Sequence, residues 1–216
     1  MEDKHQTLWA GKEWKRAGEI CPNFRLFGKN VGPNDIQQSG CLGNCYFVAS
    51  VASFAERPNR VRAMFHNKVK NSAGCYLIKF YVNGVPTGIM VDDLFLCGET
   101  NGGEKYPVFA RFRKNKIWVP LIEKAWAKYL GSYTRSDGNF SGVYVSMAYA
   151  LHTFTGAPTK TLFTDVKAKH NNYWEMLKIA DKQDYMMTVA TKKDYDVASL
   201  VANHAYSLIA VNELEH

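Results

Sequence analysis

Long apolar runs are missing from this chain, and none approaches the roughly 18 consecutive apolar residues that a membrane-spanning helix needs. The amino terminus, Met1-Glu2-Asp3-Lys4-His5, is charged and lacks the apolar stretch of a secretory signal. Cysteine is sparse, five irregularly spaced residues in 216, which argues against a disulfide framework and fits a reducing compartment. These absences together predict a cytoplasmic protein. Internal repeats and low-complexity tracts are absent too, so solenoid arrays drop out. What remains is an ordinary globular composition, long enough for one large domain or two small lobes.

A formal net charge of +7 raises the question of nucleic acid. The basic residues are scattered, with the densest groups at Arg111-Phe112-Arg113-Lys114-Asn115-Lys116 and Lys167-Ala168-Lys169-His170. Neither group carries a nucleic-acid motif, so both read as solvated loops and no nucleic-acid partner is expected. An acidic partner remains open through long-range steering.

Phe47, Val48, Val51, Ala52 and Ala55 recur at three- and four-residue steps, which predicts a helix from Cys45 to about Glu56. Asn44 stands at its N-cap and Pro58 is expected to stop it. Tyr76 to Val82 reads as a strand, Asn83-Gly84 as a hairpin turn, and Gly88 to Val91 as the return strand. A second helix is predicted from Trp118 to Leu130, with Pro120 in its first turn and Gly131 closing it. Ser136 to Gly142 is polar, Gly-rich and linker-like. Beyond it the pattern turns strand-like over Gln183–Thr191 and His204–Val211, with a short helix near Tyr173–Ala180.

Cys45 thus falls on the first turn of an apolar helix after the approach Gln38-Ser39-Gly40-Cys41-Leu42-Gly43-Asn44, and His204 opens a distant strand. A helix N-terminus favours a thiolate, the nucleophilic form of cysteine. This is how papain-type cysteine peptidases lay out nucleophile and base.

Several segments in order resemble the calpain family of that group. They are Trp14-Lys15-Arg16 with Glu19-Ile20, Asp35-Ile36-Gln37-Gln38, Leu42-Gly43-Asn44-Cys45, Val91-Asp92-Asp93, Trp118 with Leu121 to Lys128 and Gly131-Ser132-Tyr133, and His204-Ala205-Tyr206-Ser207. The resemblance implies an α+β, papain-like fold. An N-terminal extension (1–13) would precede a helical lobe over residues 14–139 and a partial β lobe over 140–216. It implies a calpain-like cysteine endopeptidase core acting on protein or peptide substrates. Cys45 would be the nucleophile, His204 the base, and Gln38 the oxyanion donor beside the Cys45 N–H. The rival reading is a non-catalytic module of the same fold that binds an acidic or cytoskeletal protein.

The chain departs from the family pattern at four points. The family's glutamine lies six residues before the cysteine, where this chain has Ser39; a one-residue insertion at Ser39 or Gly40 restores Gln38 and Asp35 to register. Tyr46 replaces the usual tryptophan in what the family makes the aromatic wall of the cleft. Calcium is a family expectation, through an aspartate like Asp35 and an acidic residue two before the helix tryptophan. That second position is Lys116 here, so no calcium site is carried over. The family's third catalytic group is an asparagine in an Asn-Pro-Trp segment, and no such segment occurs in these residues. Leu214-Glu215-His216 resembles the remnant of an added tag, in which case the natural chain continues.

Other features have plainer readings. Cys41 and Cys45 lack a matching pair for zinc. His66, His152 and His170 lie in no motif. Asp92 and Asp93 read as loop caps. Cys21, Cys75 and Cys97, with Tyr144, Tyr149 and Phe154, are expected to pack.

Overall fold

Thirteen residues from Trp118 to Leu130 form the helix about which much of the molecule is arranged. Nine of them are buried, among them Trp118, Leu121, Ile122 and Trp126. The computed structural model describes residues 9–139, 145–164, 170–194 and 199–214. In chain order, β1 (Glu13–Arg16) and α1 (Ala17–Ile20) lead through a long loop to α2 (Cys45–Ala55) and α3 (Pro58–Met64). Four strands follow, β2 (Cys75–Val82), β3 (Val85–Asp92), β4 (Leu94–Glu99) and β5 (Lys105–Pro107), and then the central helix, α4. The described part ends with α5 (Met147–Thr155), α6 (His170–Lys182), β6 (Met187–Ala190) and β7 (Ala205–Leu208). The architecture is α+β. Its antiparallel sheets are β1-β4-β5, the β2-β3 hairpin and the β6-β7 hairpin.

The expected helix at Cys45 and the one at Trp118 form as the periodicity predicts. Gly131, at φ 107, closes α4 by donating to the Ala127 carbonyl at 2.9 Å. Asn83 and Gly84 take φ 50 and 78, the left-handed pair that joins β2 to β3. Pro58 does more than end α2: it opens α3 within its first two positions, where the missing N–H costs nothing.

Other expectations are corrected. The region after residue 144 is not simply strand-like. Met147–Thr155 is a helix, capped by Ser146 Oγ accepting from Tyr149 N at 3.1 Å and closed by Gly156 at φ 70. The strand expected over Gln183–Thr191 shrinks to Met187–Ala190 because α6 runs on to Lys182, and the one over His204–Val211 shrinks to Ala205–Leu208. Cys75 is exposed at the head of β2 instead of packing, whereas Cys97 is buried. Tyr144, Phe140-Ser141-Gly142 of the expected linker, and Lys167-Ala168-Lys169 lie outside the described residues.

The core is an aromatic cluster. The Trp126 ring stacks on Phe47 at 5.7 Å and meets Phe80, Tyr149 and Phe154 at 6.1, 5.8 and 5.9 Å. Its indole N–H donates to the Tyr46 hydroxyl at 2.9 Å, so the one polar atom of the ring is satisfied inside the core. Farther along α2, Ser53 Oγ accepts from Met187 N at 3.0 Å. Arg57 grips Asp184 with Nε and a terminal nitrogen, the shortest contact 2.6 Å. These contacts tie α2 to the β6-β7 hairpin.

Trp126→Ala is expected to destabilise the chain by about 3–5 kcal/mol, through the cavity it leaves and the loss of the donor to the Tyr46 hydroxyl. Urea unfolding followed by far-UV circular dichroism measures it. A loss under 1 kcal/mol would show that the cluster repacks.

Candidate active site

Cys45 is the first residue of α2, half-buried against the main core cluster. The Asn44 carbonyl takes Phe47 N and Val48 N, both at 3.0 Å, which closes the first turn. Among the described residues the Cys45 N–H donates to nothing, as expected at a helix start. Asn44 holds the N-cap position without capping: its side chain turns inward, where Nδ2 donates to Glu123 Oε1 of α4 at 2.8 Å.

The approach loop is held on its other side by residues of the expected linker. Asp137 accepts from Gly43 N at 3.1 Å, and Gly138 N donates to the Gly43 carbonyl at 2.9 Å. A Cβ on Gly43 would lie 2.5 Å from Asn139 Nδ2 and 2.7 Å from Asp137 Oδ1, so the close approach requires glycine. Gln38–Gly43 and Asp137 line an open depression of about 480 Å³. Gln38 lies in its wall, but its amide donates to the Leu42 carbonyl at 3.4 Å. Among the described residues Gly40 is exposed with open space about it, whereas Ser39 is buried with its hydroxyl unpartnered.

His204 immediately precedes β7. Helix α2 packs against β6 and β7, and Ala205, next to His204, is buried in the cluster that Cys45 also touches. Among the described residues no hydrogen bond links Cys45 to His204, and none reaches the imidazole, which meets the Tyr206 ring edge-on at 4.9 Å. The backbone is better fixed than the ring. Thr191 Oγ1 accepts from His204 N at 3.0 Å, and Thr191 N donates to His204 O at 2.9 Å.

Three neighbours of the site were given no role from the sequence. Glu123 lies within the Leu121–Lys128 segment, Asp137 in the linker-like stretch and Thr191 at the end of an expected strand, and only the fold brings them to the loop or to His204. Tyr46 is seen, but in a different role. It is 7% exposed, donates to the Ser136 carbonyl and accepts from Trp126. It is therefore a core strut and not a cleft wall, and burial raises its phenol well above the usual value.

Lys116 is not part of a solvated loop. It is 7% exposed, and its ammonium reaches Asp35 Oδ1 at 2.5 Å and the Asn30 carbonyl. Asp35 also accepts from Trp118 Nε1 at 3.1 Å and from Gly32 N at 3.3 Å. Every partner the carboxylate has here is a donor, and one carries the positive charge a metal would bring. A calcium ion does not fit this donor set. Asp92 and Asp93 act as structural groups, as expected: Asp92 accepts from Leu94 N at 3.0 Å, and Asp93 pairs with Arg16 at 2.8 Å.

Glu123 is 2% exposed and accepts from Ala110 N at 2.7 Å in addition to Asn44. Burial pushes its carboxyl up to about 7, against the pull of the Ala110 and Asn44 donors.

Three outcomes follow. Lys116→Met strips the buried Asp35 carboxylate of its counter-charge and should cost about 3–5 kcal/mol. Isothermal titration of the unaltered chain should give no stoichiometric calcium site that Asp35→Ala removes; finding one would contradict the donor analysis. For Glu123, the folded carboxyl holds its proton above the pH at which the unfolded one releases it. Stability therefore falls as pH rises from about 4.5 to about 7, by about 3 kcal/mol in all. Relative to Glu123→Gln, the unaltered chain should lose that much across pH 4.5–8 in urea unfolding. Parallel curves would mean an ordinary carboxyl.

Comparison with known proteins agrees with this architecture. The family model described as calpain family cysteine protease matches residues 1–216. Calpain-A of Drosophila melanogaster is 30% identical over 208 residues, covering 92% of this chain and 24% of the relative. Calpain-5 of Mus musculus is 28% identical, covering 93% and 33%, and the calpain-type cysteine protease DEK1 of Zea mays 28%, covering 94% and 10%. The chain thus spans between a tenth and a third of these relatives' lengths. No helix among the described residues is long and apolar enough to cross a membrane. With a family match over the whole of residues 1–216, the chain belongs to the calpain family of cysteine proteases.

Proposed function

We propose that the chain is the core of a cysteine endopeptidase in which Cys45 is the nucleophile, His204 the base and Gln38 the side-chain oxyanion donor. The observation that carries this is the placement of Cys45 at the head of α2, with an unspent N–H, on a helix packed against the hairpin that His204 enters. In this reading Sγ gives its proton to the imidazole and attacks a peptide carbonyl. The carbonyl oxygen becomes an oxyanion held by the Cys45 N–H and the Gln38 amide. The C–N bond then breaks, His204 returns the proton to the departing amine, and water hydrolyses the thioester. For this, Gln38 must release the Leu42 carbonyl and the imidazole must turn toward Cys45; unliganded sites are commonly looser than working ones. Protein substrates and a cytoplasmic setting go with this assignment.

A second reading is favoured by two specific observations. The Gln38 amide is engaged with its own loop, and no described residue hydrogen-bonds to the imidazole. A non-catalytic calpain-fold module binding an acidic or cytoskeletal protein would have no need of either group.

Cleavage of casein or a fluorogenic peptide by the purified chain, with Cys45→Ala as control, separates the two. Slow, Cys45-dependent turnover is expected. In serine enzymes, altering the group that orients the histidine costs on the order of 10⁴ in rate, and no Asn-Pro-Trp segment is present here. Turnover that Cys45→Ala leaves intact would refute the nucleophile, and its complete absence would favour the binding module.

A further inference from the structure

Glu123 is a fully buried acid in the shell of the candidate site, and the chemistry proposed above does not use it. No lysine, arginine or histidine pairs with it among the described residues; it accepts only from Asn44 Nδ2 and Ala110 N. The other ionisable groups that sense it are Tyr46, buried in α2, and Tyr133, half-buried after α4, both phenols pushed to a higher range and neutral near pH 7. Cys45 and Asp137 lie close enough to Tyr46 to act on the same phenol.

A second observation sits on the partner side. Asn44 is 1% exposed, and its Oδ1 is buried without a hydrogen-bond partner among the described residues. An unpaired buried carbonyl oxygen is costly. An amide offers a donor on one end and an acceptor on the other, whereas a carboxyl changes from acceptor to donor when protonated. With Glu123 ionised, the donor end of Asn44 must face it. With Glu123 neutral, its O–H can donate to Oδ1 once the amide has turned over.

We propose that Glu123 and Asn44 form a proton-coupled positioning pair behind the nucleophile. The carboxylate holds Asn44 by Nδ2, the carboxylic acid holds it by Oδ1, and the proton comes from and returns to solvent. Asn44 is the residue before Cys45, and its carbonyl closes the first turn of α2, so the pair bears directly on the thiol's surroundings. Ionised Glu123 also places a negative charge behind the helix N-terminus, opposing a thiolate there. Glu123 is therefore a positioning residue and not a catalytic one. Its effect on Cys45 rests on the nucleophile reading, whereas the pair itself does not.

Two measurements on the full chain test this. Nuclear magnetic resonance from pH 5 to 9 should show the Glu123 carboxyl carbon and the Asn44 side-chain amide moving with one shared midpoint near 7. An Asn44 amide that stays fixed while Glu123 titrates, or a Glu123 that does not titrate in this range, overturns the proposal. Alkylation of Cys45 by iodoacetamide, resolved by peptide mass, should be equal in the unaltered chain and Glu123→Gln at pH 5.5. It should become about tenfold faster in Glu123→Gln by pH 8.5, since the amide copies the neutral acid. Identical profiles in two folded proteins would overturn the coupling to Cys45. If Glu123→Gln does not fold, Asn44→Ala, which keeps the carboxylate but removes its amide partner, should move the Glu123 midpoint from its value in the unaltered chain, and an unmoved midpoint would overturn the pair. If Cys45 alkylates no faster than Cys21, Cys41 and Cys75 at any pH, the nucleophile assignment fails, and a shared midpoint would still establish the pair.

Discussion

The hydrogen bond from Trp126 to Tyr46, 2.9 Å long inside a cluster of rings, joins the two helices on which everything else depends. Tyr46 follows Cys45, so the depth at which the α2 N-terminus sits is set by a contact made in the core and not at the surface. The hydroxyl also donates to the Ser136 carbonyl, which brings the 136–139 segment against Gly43. A change in ring size at either position would be transmitted to the approach loop, because close-packed interiors shift as units.

Helix α4 extends the same constraint along its length. Trp118 binds Asp35 and Glu123 binds Asn44 and Ala110. Lys124 reaches Asp92 and the Leu94 carbonyl, and Lys128 reaches the Met90 carbonyl at 2.7 Å. Nearly every turn of one buried helix therefore holds a different segment, and one of those segments is the loop that leads into Cys45. Buried polar groups of this kind stabilise only when partnered, and they specify one arrangement because the alternatives leave them bare. Lys116 extends the scheme one turn upstream. Its ammonium supplies from within the chain the positive charge that the 30–35 loop needs, which is why the loop can close on a carboxylate without a metal.

The histidine side is built differently. His204 is held through its backbone by Thr191, and its imidazole meets the Tyr206 ring edge-on with no hydrogen bond among the described residues. The two halves of the candidate site are thus unequal: the thiol is set by a packed core, the imidazole by a short two-stranded hairpin. Hairpins of that size derive little stability from their own ladder and depend on what they pack against, here α2.

Local pattern was enough for α2, α4 and the β2-β3 hairpin, because each is specified by neighbours in the chain: a 3.6-residue apolar stripe, a proline in a first turn, a glycine just past a last one, an Asn-Gly pair. The motif segments around Cys45 and His204 were legible for the same reason, and with them the family. What the sequence could not convey are relations between distant residues. The β1-β4-β5 sheet pairs residue 14 with residue 96. Met147–Thr155 is a helix because Ala150 and Phe154 find the aromatic core, not because its own pattern insists. Lys116 looks like one more charge in a polar stretch, and Glu123 like one more on the outer face of a helix, until the fold removes their water. Only tertiary structure decides that, since a charge's meaning depends on whether its partners are solvent or protein. In the same way Asn44 reads as a helix cap from its position alone, and only the buried carboxylate facing it turns the side chain inward.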